Sequence, residues 1–174
     1  MKTQNEKYYH YTKGGHLLTI LDKSYLKTSR MGTYKSEKHA VNLTTSEKWE
    51  ATVDYCYSAE LQGGRIRFII TPNISGIITW AKYKYVGKIK PYVYDTLDSS
   101  ARQLGSDTSK WFISLDVIPK KYWMGFEVLV KGEWRKPYTE AQWQDYITNG
   151  TIMPEVEETW NKWRQAKVSL ASEI

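Results

Sequence analysis

Four side chains in this sequence are the best placed to bind a ligand or do chemistry: His10, Thr12, Arg67 and Glu127. His10 and Thr12 lie two residues apart in "YYHYTK", so a strand would project both to one face and Tyr11 to the other. Two polar side chains on one strand face can hydrogen-bond the hydroxyl groups of a ligand. An ordinary exposed strand face would explain the pair equally well.

The stretch "GGRIRFIIT" places arginine inside an apolar strand pattern. Ile66, Phe68 and Ile70 alternate with Arg65 and Arg67, so the strand would bury one face and present two guanidinium groups on the other. A guanidinium there can bind a phosphate through two parallel hydrogen bonds. Either arginine could do so, and a solvent-facing arginine is the plain alternative.

Glu127 lies in the middle of a predicted strand, "GFEVLV", between Phe126 and Val128. Acidic residues are depleted in strands, so a functional reason is worth seeking. A carboxylate that faces a cleft can accept a hydrogen bond from a sugar hydroxyl and stabilise nearby positive charge. An outward-facing glutamate on a half-exposed sheet is the alternative. Glu50 in "KWEATV" is a weaker candidate for the same role and is expected to be a solvated helix residue.

Composition limits the possible classes of protein. The chain has 174 residues, a net charge of +6, eight Trp and 14 Tyr. A basic, aromatic-rich protein suits nucleic acid or an anionic nucleotide, although solvated lysines and core aromatics explain the same numbers. Cys56 is the only cysteine, which excludes an internal disulfide or a multi-cysteine zinc site, and no metal cofactor is expected. Short apolar runs and an N-terminus without an apolar core predict a cytoplasmic protein with no membrane partner.

The predicted elements position these side chains in an α+β fold with a mostly antiparallel sheet, because strands and helices do not alternate strictly. A strand at Tyr8–Tyr11 precedes a helix in "GGHLLTILDKSY" and extended chain in "YLKTS". The other predicted strands are "HAVNLTT", "GGRIRFIIT", "KWFISLDVIP" and "WMGFEVLVKGEW", with "PKKY" joining the last two. The other predicted helices are "TSEKWEATVDY", "YDTLDSSARQLG", "TEAQWQDYITNG" and a final one from Pro154 with Val156, Trp160 and Trp163 on its apolar side, and "TWAKYKYV" is ambiguous. Capping-box spacing marks the starts at Thr44–Glu47 and Thr139–Gln142.

The order of these motifs resembles the ADP-ribosyltransferase-like family. "YYHYTKGGHLLTILDKSYLKTS" is similar to its opening, a strand ending in His-x-Thr or His-x-Ser, then a helix and a short strand ending in Ser. "HAVNLTTSEKWEATV" resembles the segment that follows in small bacterial and phage-type members, and the later strands resemble theirs, the last holding a Glu. The resemblance covers roughly residues 8–130. It implies a split antiparallel sheet with flanking helices. We expect this domain to span 1–138 and a helical extension at 139–174 to pack on it.

The resemblance implies NAD, or an NAD-derived nucleotide, as cofactor. His10 would hold a ribose hydroxyl, Thr12 would support the same strand end, and the backbone of Tyr11 would anchor the nicotinamide amide. Arg67 would contact the pyrophosphate, and Glu127 would stabilise the oxocarbenium ion as nicotinamide leaves. The other residues assigned to the nucleotide are Thr44 and the two candidates for stacking on the nicotinamide, Trp49 and Tyr55.

Two departures from the family pattern keep other functions open. Arginine-specific members carry a second acid two residues before the catalytic Glu, where this chain has Gly125, and "HAVNLTT" has no counterpart of the family's mid-fold Tyr. The resemblance as a whole still predicts an NAD-dependent ADP-ribosyltransferase-like protein that acts on a protein or nucleic acid. A non-catalytic binder, either a nucleotide sponge or a phage-type inhibitor of a host enzyme, is the second interpretation. A nucleic-acid-binding protein that uses Arg65 and Arg67 is the third.

Overall fold

The computed structural model describes residues 6–30, 36–54 and 58–150, and beyond them 152, 154, 157–158, 160–162 and 165. These residues form an α+β fold, as the sequence predicted, built on a seven-stranded sheet. Every pair of neighbouring strands in this sheet runs antiparallel. The strands of the large sheet are β1 Tyr8–Lys13, β3 Val41–Thr44, β4 Arg65–Ile70, β5 Ile77–Thr79, β6 Trp111–Ser114, β8 Trp123–Val130 and β9 Glu133–Arg135. Their order across the sheet is β5-β6-β3-β1-β4-β8-β9.

Short elements and helices complete the described part of the chain. β2 Tyr25–Leu26 and β7 Ile118–Pro119 pair separately in a two-stranded sheet. The α-helices are α1 Leu17–Lys23, α2 Trp80–Val86, α3 Pro91–Gln103 and α4 Glu140–Asn149. The 3-10 turns are Gly14–His16, Ala51–Asp54, Glu60–Gln62, Thr108–Lys110 and Lys120–Tyr122. Among these helices, none has the length and apolar character needed to cross a bilayer.

One face of the sheet carries the main hydrophobic core. The alternating apolar residues of β4 and β8 point to this face, where α1 and α4 cover them. Tyr146 of α4 donates its hydroxyl hydrogen to the carbonyl oxygen of Leu21 in α1 at 2.7 Å, which fixes the two helices to each other. Trp143 and Trp160 are buried in the same core. Of the described residues after 138, Trp143, Tyr146 and Trp160 thus pack in this core, and the domain boundary stays a prediction.

α4 forms where the sequence predicted it. The Thr139 side chain accepts a hydrogen bond from the Gln142 amide, and the Gln142 side chain accepts one from the Thr139 amide, completing the capping box. Gly150 ends the helix in the left-handed region, with φ 74°. The helix predicted from Pro154 falls partly on described residues, whose backbone is helical, while Val156 and Trp163 lie outside them.

The helix predicted over "TSEKWEATVDY" is wrong, because only the 3-10 turn Ala51–Asp54 forms there. Thr44 ends β3 and its hydroxyl accepts from the Ser46 amide at 3.0 Å, a local turn in place of the predicted capping box. Tertiary contacts override the helical pattern, since Glu50 accepts a hydrogen bond from the indole of Trp111 on β6 at 2.9 Å.

The strand predicted over "WMGFEVLVKGEW" is two strands, not one. Lys131 and Gly132 have φ of 51° and 81°, so the chain turns there and β9 folds back on β8. The ambiguous "TWAKYKYV" forms α2, where the Thr79 hydroxyl caps the first turn by accepting from the Lys82 amide at 3.2 Å. The short edge strand β5 was not anticipated.

Candidate functional site

The two central strands β1 and β3 part immediately after they meet. Among the described residues, Tyr9 and Thr44 are the only pair that β1 and β3 form. On its other side, β1 pairs with β4 along its whole length. The ring of His10 lies at the point of separation. Its Nδ1 is 2.8 Å from the carbonyl oxygen of Asn42 on β3. The His10 side chain is thus bonded to the Asn42 carbonyl oxygen, which would accept from a main-chain amide of β1 if the ladder continued.

The contact with Asn42 shows that Nδ1 of the His10 ring carries a hydrogen. A carbonyl oxygen only accepts, so Nδ1 must carry the hydrogen that it donates. Burial lowers the pKa of His10 below its ordinary value of 6.5, against the opposing effect of the Asn42 hydrogen bond. The ring is therefore neutral at pH 7, and Nε2 is left as a hydrogen-bond acceptor.

A basic cleft opens on one side of the separated strands. It has a volume of about 690 Å³ and is bounded by the end of β1, by α1 and by the segment 25–30. Its described lining contains no carboxylate. The lining side chains that carry positive charge are Lys13, Lys23, Lys27 and Arg30, and Arg30 donates from Nε to Nε2 of His39 at 3.2 Å. Such a lining favours an anion, and a volume in this range suits a small-molecule ligand.

An inner cavity of about 400 Å³ opens on the other side, between the sheet and α3. His10 and Tyr11 line both the inner cavity and the basic cleft. The predicted nucleotide residue Thr44 lines the inner cavity, whereas Thr12 lines the basic cleft. The two spaces therefore meet at the strand end where the sequence placed its first candidate residues.

Arg67 and Glu127 form an ion pair on the sheet. They are direct cross-strand partners on β4 and β8, and both Nε and Nη2 of Arg67 lie 2.6 Å from Oε2 of Glu127. Arg67 also donates from Nη1 to the carbonyl oxygen of Glu47 at 2.9 Å. Arg67 is only 8% exposed. All three nitrogen atoms of the Arg67 guanidinium therefore contact oxygen atoms of Glu127 or Glu47.

Aromatic rings surround the Arg67–Glu127 pair. The guanidinium carbon of Arg67 lies 4.5 Å from the ring centre of Tyr9 and 4.4 Å from that of Trp134. Tyr11 packs edge-on against Trp49 at 5.6 Å between ring centres. Burial raises the pKa of Tyr11 to about 12, so its hydroxyl stays protonated and donates to the Ser46 carbonyl oxygen at 2.8 Å.

The register divides the predicted site residues between the two faces of the sheet. Residues directly opposite one another in a ladder project to the same face. Tyr11 lies opposite Arg67, and Arg67 opposite Glu127, so these three share one face. His10 and Thr12 project to the other face. Tyr11 links the two groups. It packs in the aromatic cluster with Tyr9, Trp49 and Trp134, and it also lines both cavities.

Gly125 cannot be replaced by a second acid without rearrangement. Its φ is +144°, and a Cβ placed there would lie 1.7 Å from the hydroxyl oxygen of Tyr138. That hydroxyl accepts a hydrogen bond from the Phe126 amide at 2.7 Å. The site thus holds one carboxylate on this strand for a steric reason.

Sequence reasoning missed the role of Glu50, which is a held carboxylate of the inner cavity instead of a solvated helix residue. The cations of the basic cleft were also missed, because they come from β1, α1 and a loop and share no motif. Trp49 is half-buried, and its indole donates to Asp54 at 2.7 Å. Arg65 contacts Asp54 and Glu60, and Tyr55 lies outside the described residues.

No protein-family model, curated protein or solved structure matches this chain. The candidate site therefore has to be interpreted from its own geometry. Within the described residues, no three His, Cys, Asp or Glu side chains cluster as metal ligands would.

Proposed function

We propose that this protein binds an NAD-type dinucleotide where β1 separates from β3, and that it is an NAD-dependent ADP-ribosyltransferase-like protein acting on a macromolecular acceptor. The split antiparallel sheet of that family is part of the proposal, and the parting of β1 from β3 after Tyr9 supports it. The observation that carries the proposal is the position of neutral His10 between a basic cleft and a second cavity.

The His10 ring and the basic cleft together suit the two polar parts of such a ligand. Nε2 of a neutral imidazole accepts a hydrogen bond from a ribose hydroxyl. The diphosphate carries negative charge, and the cations around the cleft would bind it in place of bulk counterions. Because Arg67 is held by Glu127 and Glu47, we assign the phosphates to Lys23, Lys27 and Arg30 instead.

Glu127 is the proposed catalytic carboxylate. The nicotinamide end of the dinucleotide would extend past Tyr11 toward the Arg67–Glu127 pair, with Trp49 close enough to Tyr11 to extend the aromatic wall. Positive charge grows on the ribose as neutral nicotinamide leaves, and a fixed carboxylate stabilises that charge. Arg67 contacts Oε2 of Glu127 through both Nε and Nη2, and these contacts orient the carboxylate.

The test is a calorimetric titration with NAD and with ADP-ribose, with nicotinamide release followed in the same samples. We expect both ligands to bind and nicotinamide to be released slowly. Glu127→Gln should lower the release rate by about 100-fold, the order seen when one electrostatic stabiliser is removed. ADP-ribose affinity should be unchanged in Glu127→Gln, which also shows that the variant is folded. Unchanged release in Glu127→Gln would reject the catalytic assignment.

A non-catalytic nucleotide binder is the second candidate, and a specific observation favours it. Glu127 is already neutralised by Arg67 and lies on the opposite face from His10. A protein of this kind would sequester the nucleotide or present it to a partner. In the same titration, tight binding of ADP-ribose with no release of nicotinamide from NAD would select this alternative.

A further inference from the structure

The inner cavity is a second binding space that the dinucleotide of the proposed function does not account for. α3 contributes apolar side chains to one wall, and the sheet contributes aromatic rings to the other. Its volume of about 400 Å³ lies in the range of small-ligand pockets. The side chains that matter for the argument are Tyr9, Trp111, Leu97, Ala101, Leu104 and the carboxylate of Glu50.

Glu50 is held in a fixed orientation at the cavity wall. Its Oε2 accepts from the Trp111 indole at 2.9 Å, and its Oε1 accepts from the Thr52 hydroxyl at 3.1 Å and from the Ser106 hydroxyl. A carboxylate oxygen has two lone pairs, so Oε2 can accept one more hydrogen bond. Arg30 lines both spaces, but among the described residues only the inner cavity has a carboxylate in its lining, and a phosphate next to Glu50 would be repelled.

A nucleobase combines the features that this cavity can recognise. It is flat, its faces stack on aromatic and apolar side chains, and its edge carries N–H groups that a carboxylate accepts. The phosphates would have to stay outside. Exposed lysines and tyrosines lie on α2, on the segment that follows it and at the start of α3. They are Lys82, Lys88, Lys90, Tyr85, which is 81% exposed, and Tyr92, which is 56% exposed, and the phosphates would lie along this surface. Exposed cations alternating with aromatic rings bind single-stranded nucleic acid.

We propose that the inner cavity binds an unpaired nucleobase of a single-stranded nucleic acid, and that Glu50 accepts a hydrogen bond from an N–H on the edge of that base. This inference rests on the proposed function in one respect only, which is that the base belongs to the acceptor of the transfer. His10 and Tyr11 line both spaces, so a base in the inner cavity would lie next to a dinucleotide in the basic cleft.

The experiment is ligand-observed NMR titration of the full chain, saturated with ADP-ribose, with two matched pairs of probes. The pairs are uridine with 3-methyluridine and guanosine with 1-methylguanosine, which differ by one N–H on the edge of the base. We expect at least one parent nucleoside to bind and its methylated form to bind at least about tenfold more weakly, since the remaining Glu50 lone pair would lose its donor.

Glu50→Gln and Ser100→Phe test the site independently, and Glu133→Gln is the control. Glu50→Gln should weaken nucleoside binding at least about tenfold, whereas Glu133→Gln, which removes an exposed carboxylate of β9, should leave binding unchanged. Ser100→Phe places a ring in the cavity from the half-buried side of α3 and should abolish nucleoside binding. ADP-ribose affinity should be preserved in all three variants, which serves as the test of folding.

The inference would be overturned if no nucleoside binds, if methylation makes no difference, or if Glu50→Gln binds nucleosides normally. Glu50-dependent binding of N-acetylarginine amide, a probe for an arginine acceptor, without binding of nucleosides would reject it as well. Competition between nucleoside and ADP-ribose would also overturn it, because the cavity would then hold the adenine of the dinucleotide. Failure of the proposed function is distinguishable. In that case ADP-ribose would not bind, but nucleosides would still bind in a Glu50-dependent way.

Discussion

Arg67 and Glu127 face each other across neighbouring strands, with two guanidinium nitrogens each 2.6 Å from one carboxylate oxygen. The side chains are only 9% and 14% exposed. Rings of Tyr9 and Trp134 lie over the guanidinium. An ion pair so enclosed is screened little by water, so neither partner can be removed without leaving a buried charge.

The buried pair predicts an asymmetric mutational response. Arg67→Met should lower the free energy of unfolding by about 3–5 kcal/mol, because Glu127 is left uncompensated. Arg67→Met combined with Glu127→Leu should recover part of that loss. Urea denaturation measures both, with Arg135→Met as the control, since the exposed Arg135–Glu133 pair should contribute about 0–1 kcal/mol. Equal costs for the buried and exposed arginines would contradict this account of the pair.

Gly125 gives a second prediction, about why this strand carries a single acid. Gly125→Ala should be less stable than Gly132→Ala by about 1–3 kcal/mol, the usual cost of overpacking. Both glycines have positive φ, but only Gly125 has the Tyr138 hydroxyl in the position of its missing Cβ. Thermal and urea unfolding would measure the difference. The penalty should shrink in a Tyr138→Phe background, and an unchanged penalty would mean that the hydroxyl is not its cause.

The sequence predicted the α+β class and most elements, because alternating apolar residues in "RIRFII" and the capping box at Thr139 act locally. The sequence also placed His10 and Thr12 on the same face of one strand, which the pairing of β1 with β4 confirms. It did not predict that Arg67 and Glu127 would bind each other, since strand order and register are long-range properties. Glu50 was misjudged for the same reason, because its partners Trp111 and Ser106 lie more than 50 residues away.

The basic cleft predicts a charge-dependent nucleotide affinity. Replacing both exposed lysines in Lys23→Gln/Lys27→Gln should raise the Kd for ADP-ribose about tenfold and flatten its dependence on salt, because charge-assisted contacts to the diphosphate are lost. Calorimetry at two salt concentrations measures both effects. Lys121→Gln/Lys136→Gln removes the same charge elsewhere and should change neither. A similar loss in both double variants would point to a general charge effect.

His10 predicts a pH dependence of stability. Its pKa in the folded protein is lowered from 6.5 by burial, so the unfolded chain binds a proton more readily. The stabilising contribution is fully present above about pH 6.5 and is lost as the pH falls from there through the lower folded pKa. Between pH 7.5 and 5.5, wild type should therefore lose more unfolding free energy than His10→Gln. Parallel losses in the two proteins would show that the His10 ring titrates normally.

The most direct test of the central claim is calorimetric titration of ADP-ribose into wild type and His10→Phe. Phenylalanine fills the space of the ring but has no nitrogen to accept from a ribose hydroxyl. The account predicts one site per wild-type chain and a Kd at least about tenfold higher in His10→Phe, a loss of about 1.4 kcal/mol or more of binding free energy. Failure of wild type to bind, or equal affinity in the two proteins, would contradict it.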